Sequence, residues 1–200
     1  VSTERRSNTE RTRRTTGALV SGARLLFARR GYAGVGLAEV AEEAGVTKGA
    51  LYHHFGSKAG LFRAVVEQVQ QDVGERVAAA AEKEADPWSR LTAGCGEFLA
   101  AASDPEVQRI MLVDGPAVLG WAEWRRMDEA ASARHLVEAL ADLVGSGVVA
   151  PQPVEPLARL LSGAMNEAAL WLARSESPEA DLADTVEALS RLLESLRAGA

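Results

Sequence analysis

The sequence predicts an all-α protein, and three observations carry that expectation. Apolar residues recur at steps of three and four along most of the chain, the pattern of a helix with one buried face. No stretch alternates apolar and polar residues as a half-buried strand would. Alanine, leucine and valine dominate a composition that is 47% hydrophobic but only 5% aromatic, so good helix formers supply most of the core. A chain of 200 residues with this composition can bury a proper core, as one compact unit or two small ones.

Taken in order, residues 1–16 are polar, hold five arginines and show no apolar stripe, and they read as a flexible basic arm. A first helix follows, with Leu19, Ala23, Leu26, Phe27 and Arg30 on one face and Gly31 at its end. A short helix over 37–44 carries Leu37, Val40, Ala41 and Ala44 at helical spacing. Gly45 ends it, because glycine enters the left-handed backbone region without a side-chain clash. Val46 then packs inside the turn, and Thr47 is an N-cap whose hydroxyl accepts a bond from a free amide of the next helix. That helix runs from 48 to about 54 and turns Leu51 and Phe55 inward. Ser57 caps a long helix to about residue 85, through Leu61, Phe62, Val65, Val66, Val69, Val73 and Val77, roughly 40 Å at 1.5 Å per residue.

Further helices are expected over 87–102, 105–113, about 116–144, 154 to about 174, and about 181–196, with prolines at or near several starts, where a missing amide does no harm. Gly145-Ser146-Gly147 and Pro151-Gln152-Pro153 break the chain between the third and fourth of these.

The helix after Thr47 leaves Lys48, Gly49, Ala50, Tyr52, His53 and His54 on its outer side and ends. Small residues permit close approach to a duplex, Lys48 can pair with phosphate, and Tyr52, His53 and His54 offer hydrogen bonds and flat surfaces to backbone or base edges. Lys58 stands in the first turn of the next helix, where free amides make a phosphate clamp. His53 and His54 point about 100° apart on a helix, so they do not converge on a metal. The first 60 residues hold ten Lys or Arg against five acids, while the whole chain has a net charge of −6. The rest therefore carries an excess of eleven acids, and a basic end on an acidic body favours an oriented contact with nucleic acid.

On these residues the segment 24–62 resembles the N-terminal domain of the TetR family of bacterial transcriptional regulators. The resemblance rests on Leu26-Phe27, Gly31-Tyr32, Val40-Ala41, Ala44-Gly45-Val46-Thr47, Lys48-Gly49, Leu51-Tyr52, His54-Phe55, Ser57-Lys58 and Leu61-Phe62. It implies a three-helix helix-turn-helix DNA-binding domain over 17–62, including the start of the connecting helix, and a ligand-binding and dimerisation domain over 63–200. The implied partners are double-stranded operator DNA, a small-molecule effector and a second copy of the chain. The implied function is a ligand-responsive repressor. The sequence departs from the family at Val35 and Gly36, where hydroxyl residues usually stand. Gly36 can still cap, but a side-chain phosphate contact is lost.

In the larger domain the candidate ligand-binding residues are Phe98, Met111, Trp121, Trp124, Met165, Asn166 and Trp171, bulky side chains with one amide as polar anchor. Trp121, Trp124 and Met127 share a helix face, and that stripe serves either a pocket or the core. Glu123, Arg126 and Glu129 read as a solvated face. The last two helices carry stripes of Leu182, Val186, Leu189, Leu193 and Leu196, and of Leu157, Leu161, Ala164, Ala168 and Leu172. Such stripes bury either against a second copy, as a four-helix bundle, or within the chain. The resemblance favours the dimer.

Neither a cofactor motif nor a metal-ligand spacing is present, and Cys95 and His135 lack the partners that nucleophilic catalysis needs, so the protein is not expected to be an enzyme. Cys95 is the sole cysteine, which excludes an intramolecular disulfide and fits the cytoplasm. No segment approaches a membrane span. Two alternatives stay open: a helical small-molecule carrier or enzyme with a vestigial head, and a DNA-binding regulator that senses nothing or activates.

Overall fold

The computed structural model describes residues 2–199, with side chains described at Glu10 and from Thr12 onward. Its helices are α1 (Ser2–Arg30), α2 (Leu37–Glu43), α3 (Lys48–Phe55), α4 (Lys58–Ala81), α5 (Pro87–Ala102), α6 (Pro105–Val107), α7 (Gly115–Leu119), α8 (Trp121–Ala130), α9 (Ser132–Gly145), α10 (Val154–Leu172) and α11 (Pro178–Glu194). A π-helical segment, Gln108–Asp114, joins α6 to α7. Among the described residues the only extended pairing is an isolated antiparallel bridge between Val149 and Arg197. The expected all-α class holds.

The head is built from α1, α2, α3 and the start of α4. Leu19, Ala23, Phe27, Val40, Leu51, Leu61 and Phe62 are fully buried there. Aromatic edges hold the centre: Phe62 meets Phe27 at 5.1 Å and Tyr32 at 5.0 Å between ring centroids, geometries worth about 0.5–1.5 kcal/mol each beyond area burial. The segment expected as a flexible arm is instead a continuation of α1. No glycine or proline precedes Gly17, and the packed half of α1 supplies the nucleus from which helix propagates cheaply. The side chains of Arg5, Arg6 and Arg11 lie outside the described part.

In the body α4 packs against α5 and α9, while α10 covers α5 and α9 from the other side. The single helix expected over 116–144 is broken twice. Gly120, at φ 81°, separates α7 from α8, and Ala131, at φ −113° and ψ −111°, separates α8 from α9. The helix expected over 105–113 keeps only one α turn before widening into the π segment.

Three residues fasten head to body through four hydrogen bonds. The Arg24 guanidinium on α1 donates to Asp72 of α4 and, at 2.6 Å, to Glu106 of α6. The Tyr32 amide donates to Asp114 at 2.7 Å. Arg63 of α4 donates to Glu123 of α8 at 2.6 Å, so Glu123 belongs to this joint and not to a merely solvated face.

The stripes assigned to a partner need correction. Leu157, Leu161, Leu172, Leu189 and Leu193 are all buried within the single chain, and Ala168, Leu182, Val186 and Leu196 pack half-buried against the same core. The α11 stripe lies over α5, with Val186 reaching Gly96. The Leu196 carbonyl accepts the Ala150 amide at 3.1 Å, which fastens the end of the chain to the loop after α9. Of the assigned residues only Ala164 is exposed. The large apolar residues left uncovered on these helices are Leu160, Trp171 and Leu192, which are 73%, 53% and 59% exposed.

Candidate nucleic-acid interface and effector cavity

The turn between α2 and α3 forms as its residues require. Gly45 sits at φ 63°, and the Ala44 amide bonds back to Val40 while the Gly45 amide bonds to Glu42. The Thr47 hydroxyl accepts the Ala50 amide at 3.2 Å, and the Ser57 hydroxyl accepts the Gly60 amide at 3.0 Å. Gly36 caps α2 in extended conformation, and its amide donates to Glu39 at 2.9 Å. That bond, followed by Arg30, holds the Glu39 carboxyl below its ordinary value.

Leu51 anchors α3 with no exposed surface. Thr47, Lys48, Gly49, Tyr52 and His53 are exposed, whereas Ala50 and His54 are half-buried. The Lys48 ammonium lies 5.9 Å from the Tyr52 ring centre, so charge and ring share one patch. His53 and His54 diverge at the backbone, yet their rings meet edge-on at 5.4 Å, closer than their angular separation implied. Lys58 also departs from expectation. Its ammonium sits 4.2 Å over the Tyr32 ring and is half-buried, a cation–π contact that competes with any phosphate for the charge.

The seven candidate ligand residues do not converge on one site. Phe98 and Met165 line a cavity of about 400 Å³ between α4, α5, α9 and α10. Its apolar wall includes Val77, Leu91 and Leu136, and its polar positions include Ser132, Ser162 and His135. Trp121, Trp124 and Asn166 line a separate cavity of about 340 Å³ with Arg125 and Arg159. Met111 is core, and its carbonyl accepts the Trp124 indole N–H at 2.7 Å. Trp171 stands on the outer face of α10, outside both cavities, and Trp121 is 67% exposed.

A polar cluster that the sequence reading missed supports the larger cavity. Arg125 donates to Asp128 at 2.9 Å and to Ser162 at 3.0 Å, and Ser132 donates to Asp128 at 3.2 Å. Burial pushes the Asp128 carboxyl up, while Arg125 and Ser132 pull it down. The Arg125 to Asp128 spacing was visible as an i,i+3 pair, but nothing local distinguishes it from the exposed charges around it. Cys95 also lines this cavity, and burial pushes its thiol up to about 12.

Two family models match the chain. One, bacterial regulatory proteins of the tetR family, covers residues 19–65, and the other, the tetracyclin repressor-like C-terminal domain, covers residues 88–196. The chain belongs to the TetR family. A TetR-family transcriptional regulator from Pectobacterium atrosepticum is 39% identical, covering 94% of this chain and 97% of that one, with a TM-score of 0.78. The TetC protein of transposon Tn10 from Escherichia coli is 30% identical over 110 residues, 55% of each chain. The regulator CymR of Pseudomonas putida is 38% identical over 76 residues, 38% of this chain and 37% of that one. The matches thus span about half or less of the length of these two curated relatives. Both TetR models fall on the two parts described above: the first on the head with Thr47, Lys48 and Tyr52, the second on the body from α5 onward, with the smaller cavity and the α5, α9 and α10 walls of the larger one.

Proposed function

We propose that this TetR-family protein is a homodimeric, ligand-responsive repressor that binds operator DNA in the cytoplasm through α3 and releases it when a small, mostly apolar molecule fills the larger cavity. One observation carries the reading: α4 begins at Lys58, just after α3 ends at Phe55, and its last turn forms a wall of the cavity through Val77, Ala78 and Ala81. An occupant binds one placement of α4 better than another, and only that differential affinity can move the heads. The cavity walls favour an apolar body, and Ser132 and Ser162 offer it hydrogen bonds. The second copy sits on the outer face of α10 and α11, where Leu160, Ala164, Trp171 and Leu192 remain uncovered.

Duplex selection with the purified protein, followed by titration of the enriched sequence, tests the DNA half of this reading. Tyr52→Ala should weaken binding to that sequence about tenfold or more, as loss of a base contact worth about 1–3 kcal/mol does. Lys48→Ala should lower the salt slope by about one unit per protomer. Helix content should not change in either variant. Wild-type affinity in both would remove α3 as the reading element. Salt-insensitive binding with no enriched sequence would favour a carrier with a vestigial head.

A further inference from the structure

We propose that the N-terminal half of α1 is a second DNA-contacting element, which grips backbone phosphates flanking the sequence read by α3. The inference rests on the DNA-binding reading above and extends it to a part of the chain outside the helix-turn-helix. Three observations place it there. First, α1 is oriented by its contacts. Its C-terminal half faces the body, through Arg24 with Glu106 and through the Tyr32 amide that follows with Asp114. Gly22 lies against the end of α2, within 3.4 Å of Glu43 and 3.7 Å of the Ala44 amide for an added Cβ. Earlier residues therefore run past the turn of the helix-turn-helix and away from the body.

Second, the packed part of α1 ends at Leu19, and the helix continues back to Ser2. At 1.5 Å per residue that is about 25 Å of projecting helix, enough to reach across several phosphates. Third, residues 1–16 hold Arg5, Arg6, Arg11, Arg13 and Arg14 against Glu4 and Glu10, and Arg13 and Arg14 are exposed. Thr12 is exposed as well, and the Thr16 hydroxyl turns back to the Thr12 carbonyl at 2.8 Å. A helix that is polar all round buries no apolar face and must take its stabilisation from other partners. Phosphate oxygens supply such partners for arginine, in bidentate geometry and without reference to base identity.

The contact should therefore raise affinity without changing which sequence is preferred. The test compares the wild type, R13Q/R14Q and a control, R134Q/R174Q, which removes the same charge from exposed arginines of the body. Each is titrated against the selected duplex and a scrambled duplex from low to moderate salt. At about 0.9 in slope per phosphate contact, the four arginines removed from a dimer should lower the salt slope by about two to four units. Both duplexes should weaken by the same factor, so that sequence preference is kept, and backbone protection should shorten at both outer edges of the site. The control should stay within half a unit of wild type. An R13Q/R14Q slope within half a unit of wild type, or equal to the control, would overturn the proposal. Wild-type protein that selects no sequence at all would overturn the DNA-binding reading, and this proposal with it. Loss of preference in R13Q/R14Q alone would overturn only the phosphate assignment.

Discussion

Asp128→Ala should lower the unfolding midpoint by roughly 6–20 °C. Asp128 is 3% exposed and accepts bonds from Arg125 and Ser132. Removing it leaves the Arg125 guanidinium, itself only 14% exposed in its side chain, facing Ser162 and the more distant Glu129. Leaving one buried charge without its partner costs about 3–5 kcal/mol, and in a chain of this length each kcal/mol moves the midpoint by about 2–4 °C. A change under about 2 °C would show that solvent screens the cluster. The carboxyl also sets a pH dependence. Burial raises it above its unfolded value, so its contribution to stability is complete below the unfolded value and declines as pH rises through the folded one. Wild type should accordingly lose stability relative to Asp128→Asn as pH rises from the ordinary aspartate range, in denaturant midpoints measured across that window.

The second large effect concerns assembly. Leu160→Glu with Leu192→Glu places charge on the uncovered face of α10 and α11 without entering the protomer core, since both side chains are more than half exposed. The variant should sediment as a folded monomer. Two heads on one operator gain from the effective concentration that the dimer imposes, a factor of about 10²–10⁴, and operator affinity should fall by that order. Leu193→Glu should behave differently: Leu193 is 1% exposed, so charge there should unfold the chain before it dissociates a dimer. A folded monomer that keeps full operator affinity would exclude the dimeric reading, and an intact dimer would place the interface elsewhere.

The head was legible in the sequence because its signals act over a few residues. Gly45, Thr47 and Ser57 each stop or start a helix by a bond or backbone conformation that neighbouring residues complete. The body was legible only as a set of helices. Periodicity shows that a face is buried but not what covers it: at Leu189 and Leu193 the cover is α5 and the chain's own core, not the partner that the family resemblance favours. The cavity joins four helices from 77 to 165 in the sequence, and no local pattern reports that Phe98 and Met165 line one cavity while Trp124 lines another. At Lys58 the helix-start position points to phosphate, but the fold turns the charge onto Tyr32, which arrives from another helix end.

The cysteine in the cavity wall makes the protein its own chemical clock. Burial pushes its thiol up to about 12, which keeps it protonated at pH 7, and with 5% of its surface exposed the side chain is shielded from reagent. Alkylation must then wait for α4 and α5 to part, and its rate counts those openings. Since Cys95 is the sole cysteine, no second thiol blurs the reading. A molecule that fills the cavity should slow the modification, and one that only loosens the walls should quicken it. Alkylation at the rate of a free thiol would mean that the wall stands open.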